Sequence, residues 1–84
     1  MSLYTLQKLI REINRDPTTR EAFMVSPETV VEGKGLSALE SKALVGRDYG
    51  ALYGFGVHGL LLRPFSILHG VAERDYLKSI RGEA

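Results

Sequence analysis

The sequence predicts an all-α domain, a compact bundle of about five to seven short helices. Apolar residues recur at three- and four-residue spacing, and helix-start signals such as Asp-Pro and Ser-Pro repeat along the chain. No stretch alternates apolar and polar residues strictly enough to demand a strand, and only 65–68 is considered as an extended alternative. Because 84 residues form one domain at most, the whole chain, 1–84, is expected as a single unit.

The first helix is predicted from one apolar face. Its apolar residues recur every third or fourth position, with charged residues between them: Leu3, Leu6, Ile10 and Ile13. Ser2 is suited to cap its start, and the pattern fades at 14–16. Asp16 followed by Pro17 then begins a second helix, because aspartate suits the N-cap position and proline the first helical position.

The boundaries of two further helices are also legible. Ser26-Pro27 repeats the start signal, and the glycines in 33–35 supply the stop. Ser37 and Glu40 lie three residues apart, which is the spacing of a capping box for a helix through Leu44.

The stretch 46–70 has the most unusual composition. Between Asp48 and Glu73 the only charged residue is Arg63, although 25% of the chain is charged. Asp48 is expected to cap a short fifth helix. The segment 57–68 is apolar on nearly every side, whereas a surface helix of a small domain is normally apolar on one stripe. Such a segment needs a second body to cover it, so the sequence predicts that this chain is half of a complex.

A proline interrupts this apolar segment. Because Pro64 lacks an N–H group, a kink or break is expected in the helix that opens at His58. A last helix over 72–81 has an apolar stripe and is closed by Gly82. The stripe consists of Tyr76, Leu77 and Ile80.

Composition excludes several classes of protein. The net charge is +1 with scattered lysines and arginines, so no nucleic-acid partner is expected. No apolar run is long enough to span a bilayer, and 1–16 lacks the apolar core of a signal peptide, so a soluble cytoplasmic protein is expected. The chain has no cysteine for disulfides and only two histidines, so association is the expected stabiliser of a marginal core.

Two patterns resemble known binding motifs, a dinucleotide-binding loop and an iron site, and a purely structural role is preferred for both. The glycines of 54–59 match G-x-G-x-x-G, but a helix is expected before them and Pro64 shortens the helix after them, so backbone turns are preferred. His58, His69 and Glu73 could form an iron site of two histidines and one carboxylate, but their spacing is loose. No catalytic residue and no metal is assigned to this chain.

Three side chains of the segment have two interpretations each. Tyr53 and Phe55 are either part of the core or part of an interface, where aromatic residues are enriched. Arg63 either extends to water or pairs with a carboxylate of a partner or a substrate.

Several short segments then occur in a recognisable order. They are Asn-Arg-Asp at 14–16, Arg-Glu-Ala-Phe at 20–23, Ser-Pro-Glu at 26–28, Gly-Leu-Ser at 35–37 and the unbroken stretch 43–58. Together they resemble the LigA-like small (alpha) subunit family of protocatechuate 4,5-dioxygenase, one of the extradiol ring-opening dioxygenases. The most specific part runs from Arg47 to His58, and the likeness extends from about Leu6 to Ile80.

The resemblance implies a non-catalytic helical subunit that sits on a large catalytic subunit and forms a lid over its active site. In that family the large subunit holds Fe(II) on two histidines and a glutamate, so this chain itself is expected to bind no cofactor. The expected substrate at the shared site is an aromatic diol or an aminophenol. Phe65 is the best candidate to reach it. The expected partner and pocket contacts are Tyr53, Phe55, His58, Leu60, Leu61, Leu62, Arg63, Phe65 and Ile67.

The chain departs from this family in length. It lacks the N-terminal extension of the longer protocatechuate subunits, and it is shorter between Phe65 and Tyr76, where the longer ones contact substrate. The substrate therefore stays open.

Two other functions remain as alternatives. The chain could be the helical recognition domain of a ribosomal peptide precursor that docks on a modifying enzyme of the peptide N-methyltransferase type, in which case a flexible tail should replace the helix over 75–81. It could also be a stand-alone interaction module that forms a homodimer and hides 60–68.

Overall fold

The computed structural model describes residues 3–81, and these residues form seven α-helices. In chain order they are α1 (Leu3–Arg15), α2 (Pro17–Val25), α3 (Pro27–Val31), α4 (Ala38–Val45), α5 (Tyr49–Gly54), α6 (Gly59–Leu68) and α7 (Glu73–Arg81). No strand occurs within 3–81, so the prediction of an all-α bundle is confirmed. The extended alternative for 65–68 is wrong, because these residues lie in α6.

Most of the predicted helix starts are made by the expected side chains. The carboxylate of Asp16 accepts a hydrogen bond from the amide of Thr18 at 3.1 Å, and Pro17 occupies the first turn of α2. The Ser37 hydroxyl accepts from the amide of Glu40 at 3.1 Å, while the Glu40 carboxylate accepts from the amide of Ser37 at 2.9 Å. This reciprocal pair is the predicted capping box of α4.

Of two further predicted helix starts, one has the expected cap and one does not. Asp48 caps α5 by accepting from the amide of Ala51 at 3.0 Å. Ser26 precedes α3 but its hydroxyl does not cap the backbone; it pairs with the Thr29 hydroxyl at 2.8 Å instead. The predicted caps at Ser2 and Gly82 lie outside the described residues.

Helix α6 continues through Pro64, so the break considered from the sequence is not observed. The proline removes one donor from the helix. On the same turn, the Nδ2 of Asn14 donates to the carbonyl of Leu61 at 3.0 Å. This bond ties α6 to α1, against which it packs.

Three helices end with the same backbone motif. In each, one residue adopts a left-handed conformation and two amides bond back across the last turn, which is a Schellman arrangement. Gly56 (φ 107°) and Gly70 (φ 72°) hold the left-handed position after α5 and α6. After α4 that position is held by Arg47 (φ 58°), a non-glycine residue.

All seven helices contribute to one apolar core. Its buried members are Leu6, Leu9, Ile10, Ile13, Phe23, Val31, Ala43, Leu44, Tyr49, Leu52, Val57, Leu62, Phe65 and Tyr76. Phe65 lies at the centre of the aromatic part, with ring centroids 5.7 Å from Phe23, 6.0 Å from Tyr49 and 4.6 Å from His69. The tilted and edge-on geometries are those that aromatic pairs prefer.

Helices α5 and α7 approach each other closely at Gly50. A Cβ atom at this position would collide with the backbone carbonyl of Ser79, and the Gly50 amide donates to the Ser79 hydroxyl at 3.0 Å. The close contact holds α7 against the bundle and buries Tyr76.

Candidate partner-contact surface

Two of the predicted contact residues lie on the inward face of α6 and are buried. Leu62 and Phe65 are 0% exposed and belong to the core. The prediction that Phe65 reaches a substrate and that Leu62 contacts a partner is therefore wrong for this folded chain. Ser66 and His69 complete the same face, and the spacing of 62, 65, 66 and 69 is that of one side of a helix.

The opposite side of α6 carries an exposed apolar row. Leu60 is 79% exposed and Ile67 is 57% exposed, and the exposed Pro64 lies between them. The three residues follow a four-three spacing and share one helix face; we call them the outward row. Leu61 is half-buried at its flank. Helix α6 is thus apolar on both sides, and the segment that was expected to need a covering body keeps an uncovered apolar face.

Arg63 forms contacts within the chain. Its Nη1 donates to the Ser66 hydroxyl at 3.1 Å and to the carbonyl of Val71 at 3.3 Å. Its guanidinium carbon lies 5.3 Å from the centre of the Tyr76 ring, within range of a cation–π interaction. Arg63 was expected either to extend to water or to pair with a carboxylate of a partner or a substrate. The contacts in the structure differ from both expectations.

Two aromatic residues that precede α6 are exposed. Tyr53 is 51% exposed and Phe55 is 37% exposed. The interpretation that they belong to the core is therefore wrong. Tyr53 lines a cleft of about 570 Å³ at the junction of α5 and α6, together with His58 and the backbone between them. Phe55 lines a neighbouring cleft with the exposed Leu39 of α4.

His58 is held at the start of α6 by two hydrogen bonds. Its Nδ1 accepts from the amide of Leu60 at 3.0 Å, which caps the helix, and its own amide donates to the Gln7 side chain at 2.9 Å. Because Nδ1 acts as an acceptor, the neutral ring carries its proton on Nε2. His58 is exposed, so this N–H group can donate to a ligand or a partner. A helix, α5, precedes the glycines of 54–59, in agreement with the rejection of a dinucleotide loop.

His69 is half-buried and packs against the aromatic part of the core. Its Nδ1 is hydrogen-bonded to the Tyr49 hydroxyl at 2.9 Å, and its Nε2 is buried without a partner within the described chain. Burial lowers the pKa of His69 to about 4, and the nearby charge of Arg47 acts in the same direction. Burial also raises the pKa of Tyr49, against the opposing effect of Arg47. The pair is therefore neutral at pH 7.

The two histidines do not fit an iron site. His58 caps the start of α6 and His69 its end, so the helix separates them by about 15 Å. Within residues 3–81, no three metal-binding side chains come together. No helix in this range combines the length and the apolar character needed to cross a bilayer.

A row of cations on α1 was missed by sequence analysis, which described the basic residues as scattered. Lys8, Arg11 and Arg15 lie on the outer side of α1 and line a groove between α1 and the first half of α6. We call it the α1–α6 groove. The signal was present in the sequence, because positions 8, 11 and 15 are one and two helical turns apart.

Comparison with known proteins supports a relation to a dioxygenase. The chain is 31% identical over 81 residues to a gallate dioxygenase of Pseudomonas putida, and the matched region covers 96% of this chain. The same region is 24% of that protein, so the chain spans about a quarter of its length. No family model matches the chain, and no solved structure matches it.

Proposed function

We propose that this chain is a non-catalytic helical part of an extradiol ring-cleaving dioxygenase, which docks on a larger catalytic polypeptide and closes the mouth of its active site. The observation that carries the proposal is the outward row of α6. It lies on a chain that is similar to a dioxygenase and spans only 24% of that protein's length. A piece of this size with an open apolar face suits a role beside a larger body.

The energetics of the outward row support docking. Full burial of a leucine or isoleucine side chain contributes about 1.5–3 kcal/mol. Because Leu60 is 79% exposed and Ile67 57% exposed, covering both would contribute about 2–4 kcal/mol. That is a substantial part of an ordinary binding free energy.

The proposal also divides the chemistry between the two polypeptides. It assigns the Fe(II) of an extradiol enzyme to the larger polypeptide, and it is supported by the described residues only in that they do not bring together two histidines and a carboxylate. The part left to this chain is to exclude water from the reaction, which protects reactive intermediates and strengthens the electrostatic interactions inside the pocket.

The substrate-facing residues of the proposal differ from the first expectation. Phe65 is in the core, so the cleft between α5 and α6 is the better candidate. There the phenol of Tyr53 and the Nε2–H group of His58 can donate to the oxygen or nitrogen substituents of an aromatic diol or aminophenol. Phe55 lies beside them in the next cleft and offers an apolar ring surface.

A reconstitution experiment tests this function. The chain would be co-expressed with the large dioxygenase-type polypeptide encoded nearest to it, and oxygen consumption would be measured with catechols and aminophenols. We expect faster ring cleavage with the chain than without it. The variant Leu60→Asp/Ile67→Asp should remove this increase while its circular dichroism stays unchanged, because a buried unpaired carboxylate costs several kcal/mol at an interface.

A matched control keeps this test specific. Val25→Asp changes another exposed apolar residue, on α2 and away from both clefts, and should leave the increase intact. Equal activity with and without the chain, for every substrate, would refute the proposed function.

The peptide-precursor alternative receives no support from the described residues. Its substrate tail was expected to leave the bundle, but 73–81 form the regular helix α7. Tyr76 of that helix is buried against the core, and Ser79 contacts Gly50. The homodimer alternative is decided by sedimentation of the chain alone, because it requires that the outward row be covered by a second copy.

A further inference from the structure

The α1–α6 groove runs beside the outward row. Its first section has a volume of about 520 Å³, and its second, of about 390 Å³, continues it. Arg11 and Leu61 line both sections, so the two form one groove. Leu60 and Pro64 belong both to the groove and to the outward row, which makes the two surfaces continuous.

The charge of the groove has one sign. Lys8, Arg11 and Arg15 line it, and no acidic residue does. Within residues 3–81, none of these three cations takes part in an ion pair. The whole chain has a net charge of only +1, so positive charge is concentrated here. Arginine and lysine in this arrangement suit carboxylates, which the planar guanidinium group binds with two parallel hydrogen bonds.

The groove is also apolar. Tyr4 and Leu60 are strongly exposed at its edges, and Leu61 is half-buried between them. A phosphate backbone would satisfy the cations but would leave these apolar side chains in water. An amphipathic polypeptide satisfies both, so the combination favours a polypeptide over a nucleic acid.

The spacing of the cations fits a helix. Positions 8 and 15 are seven residues apart on α1, which corresponds to about 10 Å. A partner helix lying along the groove would meet this row with acidic side chains one and two turns apart. Its apolar face would then cover Leu60 and Leu61.

We propose that the α1–α6 groove docks an acidic amphipathic helix. The identification of that helix with a segment of the larger dioxygenase polypeptide rests on the proposed function. The cations select and orient the acidic row, and the exposed Leu60 and half-buried Leu61 bind the apolar face. Because rim charges mainly set association rate and partner choice, binding weakens with added salt.

A synthetic probe tests the chemistry of the groove without any partner. The full chain would be titrated with a fluorescent amphipathic peptide of about five helical turns that carries glutamates beside a leucine row. A second peptide with lysines in place of the glutamates, and a single-stranded oligonucleotide, would be compared at equal salt. We expect the glutamate peptide to bind at least about tenfold more tightly than either of these. We also expect its binding to change the NMR chemical shifts of backbone amides only in α1 and the first half of α6.

Charge reversal provides the matched pair of variants. Lys8→Glu/Arg11→Glu/Arg15→Glu should reverse the preference between the two peptides. The control Lys34→Glu/Lys42→Glu/Arg74→Glu makes the same change in net charge on exposed residues outside the groove and should keep the native preference. Equal binding of both peptides, shift changes elsewhere, or tighter binding of the oligonucleotide would overturn the proposal.

The same variants on the large dioxygenase polypeptide separate this proposal from the proposed function. If that polypeptide binds the native chain and the groove variant equally well, the groove assignment is wrong and the function stands. If the glutamate peptide binds in the groove but the polypeptide does not bind the native chain, the function is wrong and the groove assignment stands.

Discussion

Replacement of Phe65 by alanine should separate the two faces of α6 by their effect on stability. Phe65 is 0% exposed and contacts three other rings of the core, so its removal leaves a cavity in the centre of the bundle. Phenylalanine-to-alanine changes in cores cost about 3–5 kcal/mol. A domain of 84 residues has a total stability of about 4–13 kcal/mol. Phe65→Ala is therefore expected to lower the free energy of unfolding by about a quarter or more.

Leu60→Ala is the matched surface change on the same helix. Because Leu60 is 79% exposed, this variant should alter the free energy of unfolding by no more than about 0.5 kcal/mol. Urea unfolding at pH 7, followed by circular dichroism at 222 nm, measures both values. If the alanine variant does not fold, Phe65→Leu, which keeps most of the side-chain volume, is compared with Leu60→Ala instead.

The reasoning about α6 would be refuted by the reverse ranking. If Phe65→Ala cost less than about 1 kcal/mol, or if Leu60→Ala cost more than about 2 kcal/mol, the assignment of its inward and outward faces would be wrong. The proposed docking surface would then lose its structural basis.

Three further predictions concern the bundle itself. Because the pKa of His69 is lowered from 6.5 to about 4 in the folded chain, the unfolded chain binds a proton more readily, so the free energy of unfolding should fall as the pH drops from about 6.5 to 4 and level off below. The ring is only partly buried, so we expect a loss of about 1–2 kcal/mol. Urea midpoints of the native chain and of His69→Phe, compared across this pH range, measure it. Residues 47 and 70 both have left-handed backbone conformations, which glycine adopts more easily than other residues. Arg47→Gly should therefore raise the free energy of unfolding by about 0.5–1 kcal/mol, and Gly70→Ala should lower it by about 1 kcal/mol. Thermal melts in which the two variants do not shift in opposite directions would contradict this. Gly50→Ala should lower the melting temperature by several degrees, because its Cβ would collide with the Ser79 carbonyl, whereas Gly54→Ala, with open space around it, should not.

The helix boundaries could be predicted because they depend on neighbours in sequence. The caps at Asp16 and Asp48 and the capping box at Ser37 each join residues two or three positions apart, so the residue types alone specify the bond. The left-handed end at Arg47 could not be predicted in this way. Its conformation is imposed by bonds back to α4 rather than by its own preference.

The orientation of α6 could not be predicted, because the helix offers no contrast between apolar and polar sides. Leu60, Leu62 and Phe65 are equally apolar in sequence, and only the packing of α1 and α5 against α6 decides which of them is buried. The internal role of Arg63 likewise depends on Tyr76, which approaches it only in the folded chain. The cation row on α1, in contrast, was readable from helical spacing.

Photo-crosslinking from the outward row tests the central claim most directly. A benzophenone amino acid would replace Ile67 in the full chain within its source cells, with the exposed Val25 of α2 as the control position. The account predicts a covalent product between position 67 and a large dioxygenase polypeptide, identified by mass spectrometry, and no such product from position 25. Crosslinking of position 67 to a second copy of this chain, or equal crosslinking from both positions, would contradict it.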